Sequence, residues 1–180
     1  MVLPDQSIRL LAMEDFCQLT YRLTNDKYQS SYERCAKVID RWSSQKGLDM
    51  AEFFIRIVFS FLVGNSDMHL KNFSLRETEP GNRRFQLSNA YDMLPINVIM
   101  PEDKEQMALT INGKKRNIHK KEFKILAEVC DIPANAAEKM IEKLCVLENK
   151  MLSLVDESYL PQAQRDELKT LIRDRVAILL

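Results

Sequence analysis

Four polar side chains with different chemistry crowd into residues 67–72 of this sequence, directly after an apolar stretch. They are Asp67, His69, Lys71 and Asn72, which offer a carboxylate, an imidazole, an ammonium group and a carboxamide. The apolar stretch over residues 53–63 is long enough to form a buried helix, and Gly64 marks its end. Because loops held by rigid elements commonly carry catalytic groups, residues 67–72 are the first candidate site.

A second carboxylate, Asp92, lies beyond a predicted β-hairpin. Apolar and polar residues alternate over 73–75 and again over 85–87, and turn-forming residues occupy 79–82 between them. A hairpin returns the chain close to its starting point. We therefore expect Asp92 to meet the polar side chains of residues 67–72, although the two segments are separated in the sequence.

This order of groups suits phosphoryl transfer. The reaction needs a residue that orients the attacking hydroxyl and oxygen ligands for the magnesium ion on the nucleotide phosphates. In protein kinases an Asp is followed five residues later by a metal-binding Asn, and a second metal-binding Asp lies after a short hairpin. Asp67 and Asn72 have the same five-residue offset, and Asp92 follows Asn72 by twenty residues.

Two segments together resemble the signature of HipA-like serine/threonine kinases, the toxins of bacterial toxin–antitoxin pairs. These segments are residues 64–74, with the sequence GNSDMHLKNFS, and residues 90–94, with the sequence AYDML. Residues 13–20 also resemble a helix early in the C-terminal lobe of that family. The resemblance covers nearly the whole chain from Met13 onward, and its eleven-residue central segment is the specific part.

The resemblance implies a role for each residue of the pattern. Asp67 would orient and deprotonate the hydroxyl of the substrate. Asn72 and Asp92 would hold Mg²⁺ together with ATP. The family likeness further implies a DNA-binding antitoxin of the HipB type as a partner, and a protein substrate such as an aminoacyl-tRNA synthetase or another component of translation.

His69 and Lys71 each allow two interpretations, and both are candidates for cofactor binding. A single His in a structured loop is more often a polar anchor than a ligand, so we expect His69 to be structural and to lie near Asp92. It follows Asp67 by two residues, whereas in ordinary kinases the His precedes the catalytic Asp; HipA-like kinases share this departure. Lys71 could contact a phosphate as a point charge or be solvated, and its position beside Asn72 favours the phosphate.

Composition fits one soluble globular domain over residues 1–180. Apolar residues make up 46% of the chain, and Lys plus Arg equals Asp plus Glu at 26 each, so bulk charge does not predict nucleic-acid binding. The four cysteines form no CxxC pair, which predicts free thiols in a reducing cytoplasm. No apolar stretch reaches the roughly 18–20 residues that span a bilayer, so we expect no membrane contact.

Helical periodicity predicts five helices besides the apolar one that ends at Gly64. They cover residues 14–21, 30–44, 121–130, 134–156 and 161–180. Asp49 and Glu52 form a capping-box pattern, so we expect the apolar helix to start at Asp49. Gly47 lies just past the preceding helix, where a left-handed residue is common.

Asn112 and Gly113 give the strongest short turn signal and predict a second hairpin between residues 107–111 and 114–118. The expected fold is therefore mainly α, a helical bundle with small β-hairpins, and the family resemblance implies that it is a kinase-like C-terminal lobe. The four glycines all stand alone, so the sequence has no glycine-rich loop to cover ATP phosphates, and no strand-rich N-terminal half precedes the bundle. We expect the N-terminal kinase lobe to be absent.

Three functional alternatives stay open at this point. A separately encoded N-terminal lobe could dock on this chain and complete a Mg-ATP-dependent kinase. The chain could instead be a truncated, non-catalytic fragment that serves as a binding module. A metal-dependent phosphohydrolase could use Asp67, His69 and Asp92, although two carboxylates and an amide suit Mg²⁺ better than Zn²⁺.

Overall fold

Eight helices and three short strands make up residues 6–180, the part of the chain that the structure, a computed structural model, describes. The helices are α1 (Phe16–Leu19), α2 (Tyr32–Trp42), α3 (Lys46–Leu62), α4 (Ile96–Ile99), α5 (Lys120–Val129), α6 (Ala134–Val146), α7 (Glu148–Asp156) and α8 (Gln162–Leu179). The strands are β1 (Met13–Asp15), β2 (Ser74–Glu77) and β3 (Phe85–Leu87). The prediction of a mainly helical fold with a small hairpin is confirmed.

The three strands form one antiparallel sheet with β2 in the middle. Strands β2 and β3 are the predicted hairpin, and their register places Leu75 opposite Leu87, where both side chains are buried. The hairpin brings the chain back beside the loop that precedes β2, as the alternating pattern predicted.

The predicted helix over residues 14–21 is shorter in the structure. Residues 13–15 pair with β2 as strand β1, so the helix starts only at Phe16. Asp15 fixes that start, because its side chain accepts a hydrogen bond from the backbone N–H of Gln18. The sequence contained this cap, but the pairing with β2 is a long-range contact that local periodicity does not show.

The predicted capping box of Asp49 and Glu52 is wrong. Helix α3 begins at Lys46, so Gly47 lies inside the helix rather than beyond the previous one. The Asp49 carboxylate is buried and accepts hydrogen bonds from Ser43 Oγ at 2.6 Å and from the Leu87 N–H at 2.7 Å. It therefore ties the corner between α2 and α3 to strand β3.

Helix α3 runs through the hydrophobic core and contacts α2, α5, α6, α8 and β3. Phe53, Phe54, Ile57 and Phe61 on this helix are fully buried. The Phe53 ring meets Phe73, the residue just before β2, at a centroid distance of 5.3 Å. Burial of each such side chain contributes about 1.5–3 kcal/mol, so α3 is a rigid support for the loop that follows it.

The C-terminal half departs from the sequence prediction in two places. The predicted helix over residues 134–156 is two helices, α6 and α7, because the chain bends at Leu147 and α7 packs along α8. The predicted second hairpin is only a tight turn with a single bridge between Ile111 and Lys114. Thr110 instead pairs with Ser31 next to α2, because the apolar side chains around it are buried in the core.

Membrane insertion finds no support in the part of the chain that the structure describes. None of its helices combines the length and the apolar character that a bilayer crossing requires.

Candidate active site

Gly64 turns the chain from helix α3 into the candidate loop. Its φ is 72°, in the left-handed region that favours glycine. A Cβ at this position would lie 3.0 Å from Cδ1 of Leu171 on α8, so there is little room for a side chain. The next residue, Asn65, donates its backbone N–H to the Ser60 carbonyl at 2.8 Å, which holds the loop against the end of α3.

Asn65 joins the two halves of the predicted site. Its side chain is fully buried. Its amide nitrogen Nδ2 donates to the backbone carbonyl of Asp92 at 3.2 Å, and its Oδ1 accepts the backbone N–H of Asp67 at 3.2 Å. One amide side chain therefore connects the segment after the hairpin to the loop before it.

Asn72 holds the backbone carbonyl of Asp67, whose N–H is bonded to Asn65. Its Nδ2 donates to the Asp67 carbonyl at 2.9 Å, across a 3₁₀ turn over Leu70–Asn72. Because Nδ2 is used in this bond, Oδ1 of Asn72 is turned away from that carbonyl. Asp92 is exposed and has a φ of 56°, a left-handed conformation that Asp tolerates better than most residues. Asp67, Asn72 and Asp92 thus belong to one hydrogen-bonded cluster.

The Asp67 carboxylate has a partner that the sequence analysis missed. The hydroxyl of Tyr28 donates to Oδ1 of Asp67 at 2.5 Å. Burial raises the pKa of Tyr28, as do the hydrogen bond to Asp67 and the negative charges of Asp67, Asp103 and Asp92. All three carboxylates therefore belong to the electrostatic surroundings of Tyr28. No local pattern in the sequence marks Tyr28, which lies 39 residues before Asp67.

The His69 ring packs against the Tyr28 ring. Its side chain is buried, and the two rings meet edge to face at a centroid distance of 5.0 Å. Burial lowers the pKa of His69 below its ordinary value of 6.5, so the imidazole is neutral at pH 7. Its Nδ1 is buried and has no hydrogen-bond partner within residues 6–180. In this structure His69 contacts Tyr28 through its ring, and the hydrogen bonds of the described residues include none between its side chain and Asp92.

Lys71 forms an ion pair with Asp15 at the start of α1. Its Nζ lies 2.8 Å from Oδ2 of Asp15, and this hydrogen bond raises the pKa of Lys71. The backbone carbonyl of Lys71 accepts the Tyr91 hydroxyl at 2.8 Å, and that hydroxyl also shares a 2.6 Å hydrogen bond with Ser74. Tyr91 is the residue before Asp92, so these bonds also attach the Asp92 segment to the candidate loop.

A polar chain anchors the loop to the C-terminal helix. Ser66 donates to Oδ2 of Asp103 at 2.7 Å, and Asn97 donates to the Asp103 carbonyl at 3.3 Å. Arg175 on α8 then donates to Oδ1 of Asn97 at 3.3 Å and to the Phe61 carbonyl at 3.2 Å. These bonds connect α8, the end of α3 and the residue next to Asp67.

A buried arginine supports the start of the Asp92 segment. Arg56 on α3 donates from Nη2 to the Ser88 carbonyl at 2.8 Å and to Oε1 of Glu52 at 3.0 Å. The sequence analysis did not single out Arg56. A charged residue inside an apolar helix was the signal that could have marked it as a functional support.

The side chains around Asp67 offer oxygen donors for a metal ion. Residues 6–180 contain no group of three His, Cys, Asp or Glu side chains that could hold a metal ion. Within that range Asp67, His69 and Asp92 are therefore not grouped as three ligands of one metal ion. The Oδ1 of Asn72 and the carboxylate of Asp92 are oxygen donors of the kind that Mg²⁺ combines with phosphate oxygens and water.

Residues 5–151 match the family model of the HipA-like C-terminal domain. The chain belongs to this family. The match contains every residue of the predicted site and most of the helices that support it.

Curated relatives of this HipA-like domain carry kinase names. The chain is 36% identical over 131 residues to "Putative kinase Y4dM" of Sinorhizobium fredii, an alignment that covers 72% of the chain and 30% of the relative. It is 26% identical over 171 residues to "Putative kinase" of Haemophilus influenzae, which covers 86% of the chain and 49% of the relative. The chain therefore spans less than half the length of either relative.

Two solved structures share the fold. A chain of the Shewanella oneidensis MR-1 toxin–antitoxin complex of HipA, HipB and operator DNA matches with a TM-score of 0.75 and 16% identity, covering 97% of this chain and 45% of that one. The Helicobacter pylori proinflammatory kinase CtkA matches with a TM-score of 0.59 and 16% identity, covering 94% of this chain and 65% of that one. The HipA-like domain thus has the fold of the C-terminal lobe of these kinases.

Proposed function

We propose that this HipA-like domain is the catalytic lobe of a Mg-ATP-dependent protein serine/threonine kinase. The observation that carries the proposal is the buried Asn65 side chain, which hydrogen-bonds both to Asp67 and to Asp92. Because Asn72 is bonded to Asp67 as well, the proposed base and both proposed metal ligands belong to one cluster. Family membership supports the same assignment.

Each residue has a chemical role in this proposal. The Asp67 carboxylate accepts the proton of the substrate hydroxyl as the hydroxyl oxygen forms a bond to the γ-phosphorus of ATP. The bond from that phosphorus to the β,γ-bridging oxygen breaks, and ADP leaves with the electron pair. Asn72 Oδ1 and the Asp92 carboxylate would hold the magnesium ion. When bound, that ion neutralises charge on the phosphate oxygens. Lys71 is the candidate for a phosphate contact. To make it, the Lys71 ammonium group must leave its ion pair with Asp15 and bind the nucleotide instead.

The wider assignment is proposed by analogy with the relatives. We propose that the kinase is the toxin of a bacterial toxin–antitoxin pair, that it binds a HipB-type DNA-binding antitoxin, and that it acts in the cytoplasm on a protein of translation such as an aminoacyl-tRNA synthetase. A second lobe that covers ATP completes the site, whether it belongs to the same polypeptide or to another one. The support is the named HipA–HipB–DNA complex whose fold this chain shares.

Phosphate transfer from labelled ATP tests the proposal. The assay uses this domain together with an ATP-covering N-terminal lobe, and a second sample without that lobe. We expect Asp67→Asn and Asp92→Asn each to lower transfer by roughly 10²-fold or more, since each removes a carboxylate on which the reaction depends. Circular dichroism checks that both variants keep the fold.

Asp131→Asn is the matched control. Asp131 is also exposed and has a φ of 54°, almost the same backbone conformation as Asp92, but it lies after α5. Its variant is expected to keep full activity. Full activity in both site variants would exclude the kinase assignment. An inactive wild-type assembly that still binds the antitoxin would favour a binding module, and phosphatase activity without nucleotide would favour a phosphohydrolase.

A further inference from the structure

We propose that Tyr28 is a positioning residue for phosphate transfer: its hydroxyl holds one oxygen of the Asp67 carboxylate so that the other oxygen faces the acceptor hydroxyl of the substrate. This inference rests on the proposed function, because it takes Asp67 as the proton acceptor. The contact that carries it is the 2.5 Å hydrogen bond from the Tyr28 hydroxyl to Oδ1 of Asp67. Hydrogen bonds to a carboxylate are short and roughly twice as strong as those between neutral groups.

The bond from Tyr28 completes the fixation of Asp67. The backbone N–H of Asp67 is bonded to Asn65, and its carbonyl accepts the side-chain amide of Asn72. These two contacts fix the main chain but leave the carboxylate free to rotate about χ1 and χ2. Tyr28 uses only Oδ1, so it fixes the rotation and leaves Oδ2 for the substrate.

Tyr28 is itself held in place. Its ring packs edge to face on the buried His69 ring at 5.0 Å, and the Lys27 ammonium nitrogen lies 5.0 Å from the centre of the Tyr28 ring. The backbone N–H of Leu70 donates to the Lys27 carbonyl at 3.2 Å, which attaches the Tyr28 segment to the candidate loop. The hydroxyl is therefore presented to Asp67 by a braced segment. Because this segment is held in place, a positioning role is favoured over one in which Tyr28 moves in and out and blocks access to Asp67.

A phenol is well suited to this position. A tyrosine hydroxyl is protonated at neutral pH, and burial and then the hydrogen bond to Asp67 raise the pKa of Tyr28 further, so it remains a donor. A Lys or Arg in its place would also fix the carboxylate, but its positive charge would lower the affinity of Asp67 for a proton. A neutral donor orients the base at a smaller loss of basicity.

The first test is Tyr28→Phe in the complete two-lobe kinase. The variant removes one hydroxyl and keeps the ring that packs on His69. We expect kcat to fall roughly 10- to 100-fold, because a misplaced catalytic group costs about this much, while KM for ATP stays unchanged. Tyr159→Phe is the control: Tyr159 is fully exposed, and its variant should match the wild type in both constants.

A second readout follows the hydrogen bond without any need for activity. The proton NMR spectrum of residues 1–180 should contain a downfield hydroxyl resonance from the short bond. It should be absent from Tyr28→Phe and Asp67→Ala and present in Tyr159→Phe. A spectrum in which Asp67→Ala keeps the resonance would show that the Tyr28 hydroxyl does not bind Asp67, and would overturn the inference.

The kinetic outcomes separate this inference from the proposed function. An active wild type with an equally active Tyr28→Phe removes only the positioning role. An increase in kcat for Tyr28→Phe would mean that the Tyr28 hydroxyl competes with the substrate for Asp67. That result would also overturn the positioning role. A complete wild-type assembly that transfers no phosphate removes the proposed function itself, and the catalytic meaning of the Tyr28 contact with it.

Discussion

At the scale of single residues, Asn65 connects groups that lie far apart in the sequence. Two of its side-chain hydrogen bonds reach the N–H of Asp67 and the carbonyl of Asp92, which lies 27 residues away. Neither bond involves a carboxylate oxygen, so Asn65 leaves the acidic groups available for chemistry. An amide side chain suits this task because it offers one donor and one acceptor group to two backbone segments.

We predict that Asn65→Ala weakens both stability and activity. The substitution leaves the Asp67 N–H and the Asp92 carbonyl without their buried partner, which should lower the free energy of unfolding by about 1–3 kcal/mol. Because the Asp92 segment is then less well placed, KM for Mg-ATP should rise in the two-lobe kinase. Urea denaturation and steady-state kinetics measure the two effects.

Asn149→Ala is the control for Asn65→Ala. Asn149 is exposed on α7, so its substitution should change the free energy of unfolding by no more than about 0.5 kcal/mol. Equal stability of the two variants would show that Asn65 does not bridge the two segments.

At the scale of elements, the connection between β2 and β3 is organised by one carboxylate. Glu77 accepts backbone N–H groups from Gly81 at 3.1 Å, Ala12 at 3.2 Å and Arg83 at 3.2 Å. The hydrogen bond from Gly81 and then that from Ala12 lower the pKa of Glu77 below its ordinary value of 4.5. The hairpin that carries the chain toward Asp92 therefore depends on an ionised side chain.

We predict that Glu77→Gln reduces the acid sensitivity of the fold. Since the pKa of Glu77 is lower in the folded protein, its ionisation contributes stability above the ordinary glutamate pKa, and this contribution is lost as the pH falls through the lower folded value. The urea midpoint of the wild type should thus fall more steeply between about pH 5 and about pH 3 than that of Glu77→Gln.

Glu79→Gln provides the comparison, because Glu79 is exposed in the same connection. Its pH dependence should follow that of the wild type. Parallel curves for the wild type and Glu77→Gln would mean that the three backbone bonds to Glu77 do not stabilise the charged form.

At the scale of the whole molecule, helix α8 closes the chain onto the site. Arg175 is buried against the Phe61 ring, with its guanidinium carbon 4.3 Å from the ring centroid, and burial lowers its pKa to about 10. It is still charged at pH 7 and donates to Asn97, which holds Asp103 beside Ser66. The last helix thereby stabilises the loop that contains Asp67, more than a hundred residues earlier.

We predict that residues 1–180 alone bind Mg-ATP more weakly than micromolar. Asp92 is exposed, and the Lys71 ammonium is paired with Asp15. Small-molecule sites normally bury most of the ligand surface, and this surface needs a second lobe to do so. Isothermal titration calorimetry of the domain, without and with an N-terminal lobe, measures the difference. Micromolar affinity for the domain alone would contradict the prediction.

Particular residues show how much of the fold and of the candidate site could be predicted from the sequence. The apolar helix, the β2–β3 hairpin and the mainly helical character followed from periodicity and turn residues, and the structure confirms them. The kinase-like lobe was implied by the family resemblance, and the fold shared with the two solved structures confirms it. The predicted start of helix α3 at Asp49 was wrong. Asp49 is a buried carboxylate that ties α3 to β3, and in the sequence such a residue resembles a helix cap. The helix over residues 134–156 was wrong because its break at Leu147 depends on packing against α8.

By itself, the sequence determined which groups occur at which spacing. Asp67 and Asn72 lie five residues apart, and such local order is set by short-range backbone geometry. Only the tertiary structure decided that Tyr28 meets Asp67 and that Asn65 meets Asp92. Contacts between such distant residues arise from the packing of the whole core around α3, and no local pattern encodes which of many polar side chains that packing brings together.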